Sequence, residues 1–236
     1  IVHFNVDLYK QSLPIRAKAT AKEKTDVKGT ILTAYIHFSL EHETAPKSVY
    51  KFCKELAIDE AIFYGHFSSL EAVAESVWET FHQNALATLQ KSNEYEGFSN
   101  REKVLSYLFT FFENLTLNRS YVLFSLQGAQ KNLAELKVLK GLRKEYKRFI
   151  ESLIEDENQT KSIEAFKYNK RFFAEAGWAQ LLFLLKFYVD DRSQGFEKTD
   201  VVIEKSVNTI FDVFDNTPLE NAFDLGKFLF KEAFTA

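Results

Sequence analysis

The run Ser48-Val49-Tyr50-Lys51-Phe52-Cys53-Lys54-Glu55-Leu56-Ala57-Ile58-Asp59-Glu60-Ala61-Ile62-Phe63-Tyr64-Gly65-His66-Phe67 decides how the chain is read. Val49, Phe52, Cys53 and Leu56 recur at three- and four-residue spacing, which places them on one face of a helix. Pro46 suits the first turn of that helix, where a missing N–H costs nothing. Ala57-Ile58 closes it, and Asp59 offers an N-cap for a further short helix carrying Ile62, Phe63 and Phe67. A short helix pair with so tight a corner has helix-turn-helix geometry.

Upstream, helical periodicity begins near Val27, with Ile31, Ala34, Tyr35 and Phe38 on one face. Glu41 to Thr44 is a polar break. Residues 1–26 read as a separate arm. Val2, Phe4, Val6 and Leu8 alternate in a short strand-like pattern, and a basic run follows from Lys10 through Arg16, Lys18, Lys22 and Lys24 to Lys28. A solvated tail is the plain expectation for such a run; contact with nucleic-acid phosphates is the other.

Downstream, Ser68-Ser69-Leu70-Glu71 reads as a capping box. It starts a long fourth helix with Leu70, Val73, Ala74, Val77, Trp78 and Phe81 inward. Ser99-Asn100-Arg101-Glu102 repeats the signal ahead of Leu105, Leu108, Phe109 and Phe112. Further helices are expected over roughly 119–127, 130–155, 161–191 and 197–216. Thr217-Pro218-Leu219-Glu220 marks the start of a last one, to about Phe234. The expected architecture is all-α: an arm over 1–26, a three-helix helix-turn-helix domain over 27–70, and a larger helical bundle over 71–236.

Bulk composition agrees and excludes several classes. With 46% hydrophobic residues in 236, a sizeable core is available, while only three prolines and eight glycines interrupt the chain. No run reaches the about 18 apolar residues of a membrane span; the most apolar, Trp178 to Val189, is broken by Gln180 and Lys186. The N-terminus carries no signal-peptide pattern. The single Cys53 cannot form an internal disulfide, which points to a reducing cytoplasm. Cys53 falls on the inner face of its helix, where packing is the expected role. No phosphate loop, nucleophile elbow or zinc-ligand spacing is present, so no enzyme, cofactor or metal is expected. A net charge of −3 leaves any nucleic-acid binding to a local arrangement.

The 48–67 run resembles the signature of the TetR (tetracycline-repressor) family of transcription regulators, and it does so without a gap. Tyr64-x-His66-Phe67 is its most specific part, and Ile31 to Phe38 is similar to the family's first helix. The resemblance implies a helix-turn-helix reader followed by a ligand-binding, dimerising helical domain. The second helix of the pair would then present its N-terminal side chains to base edges in the major groove. It implies a DNA face of Lys47, Ser48, Tyr50, Lys51, Glu60, Ala61, Ile62, Tyr64 and His66. Ser48 and the pair Tyr64 and His66 would meet the backbone, and Glu60, Ala61 and Ile62 would meet bases. The chain departs from the family at Tyr50 and Leu70, where basic residues are common, and at Asp59-Glu60, which opens the recognition helix with two carboxylates. Glu accepting from cytosine N4 would reconcile them.

The resemblance further implies an effector pocket in the bundle and a homodimer on a palindromic double-stranded operator, the expected action being repression. Among the aromatic and polar residues, Trp78, Phe81, His82, Phe112, Tyr121, Gln127, Trp178 and Gln180 are the candidates to meet a small apolar or aromatic effector, with core packing the plain alternative for each. Phe172, Leu181, Leu184, Leu185, Tyr188, Val202, Val207, Ile210, Phe211 and Phe214 are candidates for the dimer contact. The rival reading is a helical ligand-binding or protein-interaction module of the same fold that no longer binds DNA.

Overall fold

A computed structural model describes residues 26–127, 137–159 and 169–216. Among these the chain is all-helical. In order the helices are α1 (Val27–Glu41), α2 (Val49–Glu55), α3 (Glu60–His66), α4 (Leu70–Leu89), α5 (Asn100–Leu117), α6 (Arg119–Ser125), α7 (Lys140–Gln159), α8 (Lys170–Asp190) and α9 (Glu197–Asn216). Short 3-10 turns lie at Tyr95–Gly97, Lys137–Leu139 and Gln194–Phe196. The expected arm over 1–25, the last helix beyond 217 and the segments 128–136 and 160–168 lie outside the described residues.

Caps explain most of the helix starts. Asp26 accepts from the Gly29 N–H and opens α1; Ser48 accepts from the Lys51 N–H and opens α2. At α5 both halves of the capping box form: the Ser99 hydroxyl meets the Glu102 N–H, and the Ser99 N–H donates to Glu102 at 2.8 Å. At α4 the cap is Ser69, which accepts from the Ala72 N–H, so the box expected from Ser68 to Glu71 does not form: N3 is Ala72, with no polar side chain to reach back. Asp59 occupies the N-cap position of α3 with extended backbone, yet its carboxylate makes no capping bond. That first turn is held by backbone contacts instead, Ile62 and Phe63 N–H donating to the Asp59 carbonyl.

The reader (α1 to α3) is locked by aromatic edges. Phe52 of α2 meets Tyr35 and Phe38 of α1 and Phe63 of α3, each with ring centroids 6.3 Å apart in edge-to-face contact. Phe52, Cys53 and Phe63 are buried. The corner between α2 and α3 turns on Ala57, whose φ of 54° is left-handed. A non-glycine residue there costs roughly 1 kcal/mol, which the surrounding aromatic packing outweighs.

Behind the reader, α1 packs on α4 and α6, and the long helices α4, α5, α7, α8 and α9 form the bundle. Helices α7 and α8 cross closely because Gly177 has no side chain. A Cβ there would meet Ile150 Cγ1 at 3.1 Å. Helix α8 is the one described helix long and apolar enough to cross a bilayer, but half of its apolar window is buried in the bundle, the signature of a core helix. Leu181, Leu184, Leu185 and Tyr188 of α8 and Val207 of α9 are fully buried within this one chain. They are core, and the expectation that they form a dimer contact is corrected accordingly.

Candidate nucleic-acid interface and bundle cavities

The reader separates its side chains by face. Phe52 and Phe63 point inward, while Tyr50 is 60% exposed, Tyr64 54% and Ile62 42%. Large apolar groups left open on two adjoining short helices suit a contact surface better than a core. Lys47, Lys51, Lys54, Glu60, Ala61 and His66 are exposed as well, and Ser48, half-buried, spends its hydroxyl on the α2 cap. All nine residues expected to face DNA therefore lie on α2, α3 or the turn leading into α2. The surface carries both signs of charge, with the lysines on and just before α2 and Asp59-Glu60 at the start of α3. Burial and then the nearby Glu60 carboxylate raise the Cys53 thiol pKa, which keeps it protonated and inert.

The residues expected to meet an effector do not converge on one cavity. Trp78, Phe81, Phe112, Tyr121 and Trp178 are buried core and line neither of the two cavities. Gln127 is exposed at the end of α6. Gln180 lines a narrow apolar cavity of about 60 Å³ between α5, α7, α8 and α9, with Val104, Ile150, Leu153, Phe173 and Phe211. Its amide donates to the Ser206 hydroxyl. His82 lines a second, open cleft of about 380 Å³ between α4, α5 and α7. Its Nδ1 lies 2.6 Å from the Tyr107 hydroxyl, and burial holds its pKa down to about 4, so the ring is neutral at ordinary pH. Sequence reasoning did not single out Tyr107, Lys103 or Arg148. The spacing of Lys103 and Tyr107, one helical turn apart, was the available signal.

Two polar clusters hold the end of α8. Arg119, at the start of α6, donates to the carbonyls of Tyr188, Val189 and Asp191, which end α8. Its guanidinium stacks 4.5 Å from Tyr188 and 4.2 Å from Phe196. Next to it, the buried Asp191 accepts from the N–H and hydroxyl of both Ser193 and Thr199. Burial alone would raise its pKa, but these donors outweigh it and hold the carboxyl at about 2. Since α6 also packs on α1, the joint at Arg119 links the end of α8 to the first reader helix. Neither Arg119 nor Asp191 stands out in the sequence, where each is one charge among many. Among the described residues no cluster of His, Cys, Asp and Glu is arranged to hold a metal ion.

A family model described as the tetracyclin repressor-like C-terminal domain matches residues 103–229, more than half of the chain. The chain belongs to the tetracycline-repressor family. Neither a curated protein nor a solved structure matches it. The matched region is the bundle, whereas the residues that carry the sequence signature lie in the reader. The two lines of support therefore rest on different parts of this TetR-family chain.

Proposed function

We propose that this TetR-family regulator binds a palindromic DNA operator as a homodimer and releases or engages it in response to a small molecule, acting as a repressor in the cytoplasm. The observation that carries the reading is the exposed reader face. Tyr50, Ile62 and Tyr64 stand open beside Lys47, Lys51 and His66, on helices whose inner sides are fixed by Phe52 and Phe63. In this reading the lysines neutralise phosphates, Ser48, Tyr50, Tyr64 and His66 position the backbone, and Glu60, Ala61 and Ile62 face bases. The dimer contact falls on the outward side of α8 and α9, where Phe183 is 51% exposed and Val201 47%. Phe172 and Val202 are half-buried, whereas Ile210 and Phe211 turn toward the apolar cavity of the bundle. Effector binding in the bundle shifts the separation of the two readers, so that one state matches the half-site spacing. Of the expected effector residues, His82 and Gln180 reach cavities directly, and Trp78, Phe81, Phe112, Tyr121 and Trp178 belong to the core.

A second reading, a TetR-fold module that does not bind DNA, draws on the uncapped Asp59 and exposed Glu60, two carboxylates that phosphates repel. Selection from a random duplex library over a range of salt separates the two. Enrichment of a palindrome that the Tyr64→Ala and His66→Ala proteins fail to retain is the expected result. A folded dimer that enriches nothing even at low salt would sink the regulator reading in favour of the second.

A further inference from the structure

The open cleft between α4, α5 and α7 has chemistry that neither the fold nor the core packing uses. His82 is 3% exposed, and its Nδ1 is taken by Tyr107. Tyr107 is fully buried, and no other partner for its hydroxyl is found among the described residues. A hydroxyl proton with no acceptor in the interior costs about 1–3 kcal/mol, so the Tyr107 O–H donates to Nδ1. The single proton of the neutral imidazole then sits on Nε2, the polar atom His82 has left to offer the cleft. That N–H has no protein acceptor among the described residues.

The walls specify what it awaits. Lys103 lies one helical turn before Tyr107 on the same face of α5, and it lines the same cleft as His82. Its ammonium rests 5.9 Å from the Tyr95 ring and makes no ion pair among the described residues. Tyr95 and Phe149 supply aromatic surface, with Leu86 and Leu153 beside them. Of the other charges in the wall, Arg148 is paired with Glu145 at 2.8 Å, the Glu145 carboxylate also acts on the His82 ring, and Asp156 lines the same cleft as Lys103. A volume of about 380 Å³ is that of a small-ligand site.

We propose that this cleft binds a small aromatic acid, its carboxylate between the Lys103 ammonium and the His82 Nε2–H and its ring against Tyr95 and Phe149. The assignment rests on the effector-sensing reading above and names the class of effector. A phenol or an amide has the acceptor for His82 but lacks the charge that Lys103 selects.

The test is calorimetric titration of the full chain, without DNA, with benzoate and phenylacetate and with the neutral benzamide. Saturable binding of an acid at least tenfold tighter than benzamide is expected. Lys103→Gln, a change at a half-exposed position that leaves the core untouched, should abolish that preference. Nitrogen NMR of the histidines should show His82 Nε2 shifting on acid addition. No saturation by either acid at millimolar concentration, or an acid preference that survives Lys103→Gln, overturns the assignment. The readouts keep the two readings apart. A chain that selects an operator but binds neither acid keeps the regulator and loses this cleft. One that binds benzoate but enriches no operator supports the cleft and loses the regulator.

Discussion

The reader and the bundle solve opposite problems with the same residue types. In the reader, aromatic side chains divide cleanly: Phe52 and Phe63 are buried as struts, and Tyr50 and Tyr64 are open to solvent. In the bundle nearly every large aromatic is inside, and the polar groups are buried with them: His82, Gln180, Asp191 and Thr199. A short helix pair has too little interior to hide a site, so the proposed DNA contact falls on the outside. A bundle of twenty-residue helices has room to place polar groups at depth, where each needs a partner. An outward surface tolerates change without loss of fold, and an inward one does not.

Truncating a reader strut is the largest test of that contrast. Phe52→Ala removes the ring that contacts Tyr35, Phe38 and Phe63, and should cost about 3–5 kcal/mol in denaturant unfolding. A loss below 1 kcal/mol would mean that the reader does not depend on this cluster.

Asp191→Asn should cost about 1–3 kcal/mol, since an amide oxygen and NH₂ cannot receive the four donors that the carboxylate now takes. The carboxyl is depressed from 3.8 to about 2 in the folded chain, so its contribution is complete above the unfolded value and is lost as pH falls from about 4 to about 2. Acid unfolding of the Asn variant should lack that component.

His82 gives a milder effect in a different window. Burial lowers its folded pKa to about 4 against an ordinary 6.5, so between those values the unfolded chain binds the extra proton. Stability conferred by the neutral ring is full above about pH 6.5 and declines as pH falls toward 4. His82→Gln should flatten the stability profile over that window, and an unchanged slope would show that the ring is not buried neutral.

The same contrast explains what could be read from the sequence. The reader was legible because periodicity and the Tyr64-x-His66-Phe67 pattern are local signals that agree, although Pro46, expected in the first turn of α2, lies two residues before its Ser48 cap. Asp59 was not: its type suits a cap, but whether the carboxylate turns back on its own helix depends on packing. In the bundle, periodicity found the helices but could not tell a core aromatic from a cavity wall, because both face inward. Leu181, Leu184 and Leu185 looked free for a partner only because the helices that cover them are distant in sequence. Pairs such as Arg119 with the end of α8, or His82 with Tyr107, are set by tertiary contacts across 69 and 25 residues.

The smallest expected change in stability accompanies the largest expected change in function, and it bears on the central claim most directly. Tyr64 is 54% exposed, and Tyr64→Ala should leave unfolding within about 0.5 kcal/mol of the parent. Equilibrium binding to the selected duplex, measured for both proteins in one buffer of stated salt, is the decisive comparison. The account predicts a folded, equally stable variant whose affinity for the operator falls at least tenfold. An equally stable variant that binds the duplex as tightly as the parent would contradict it.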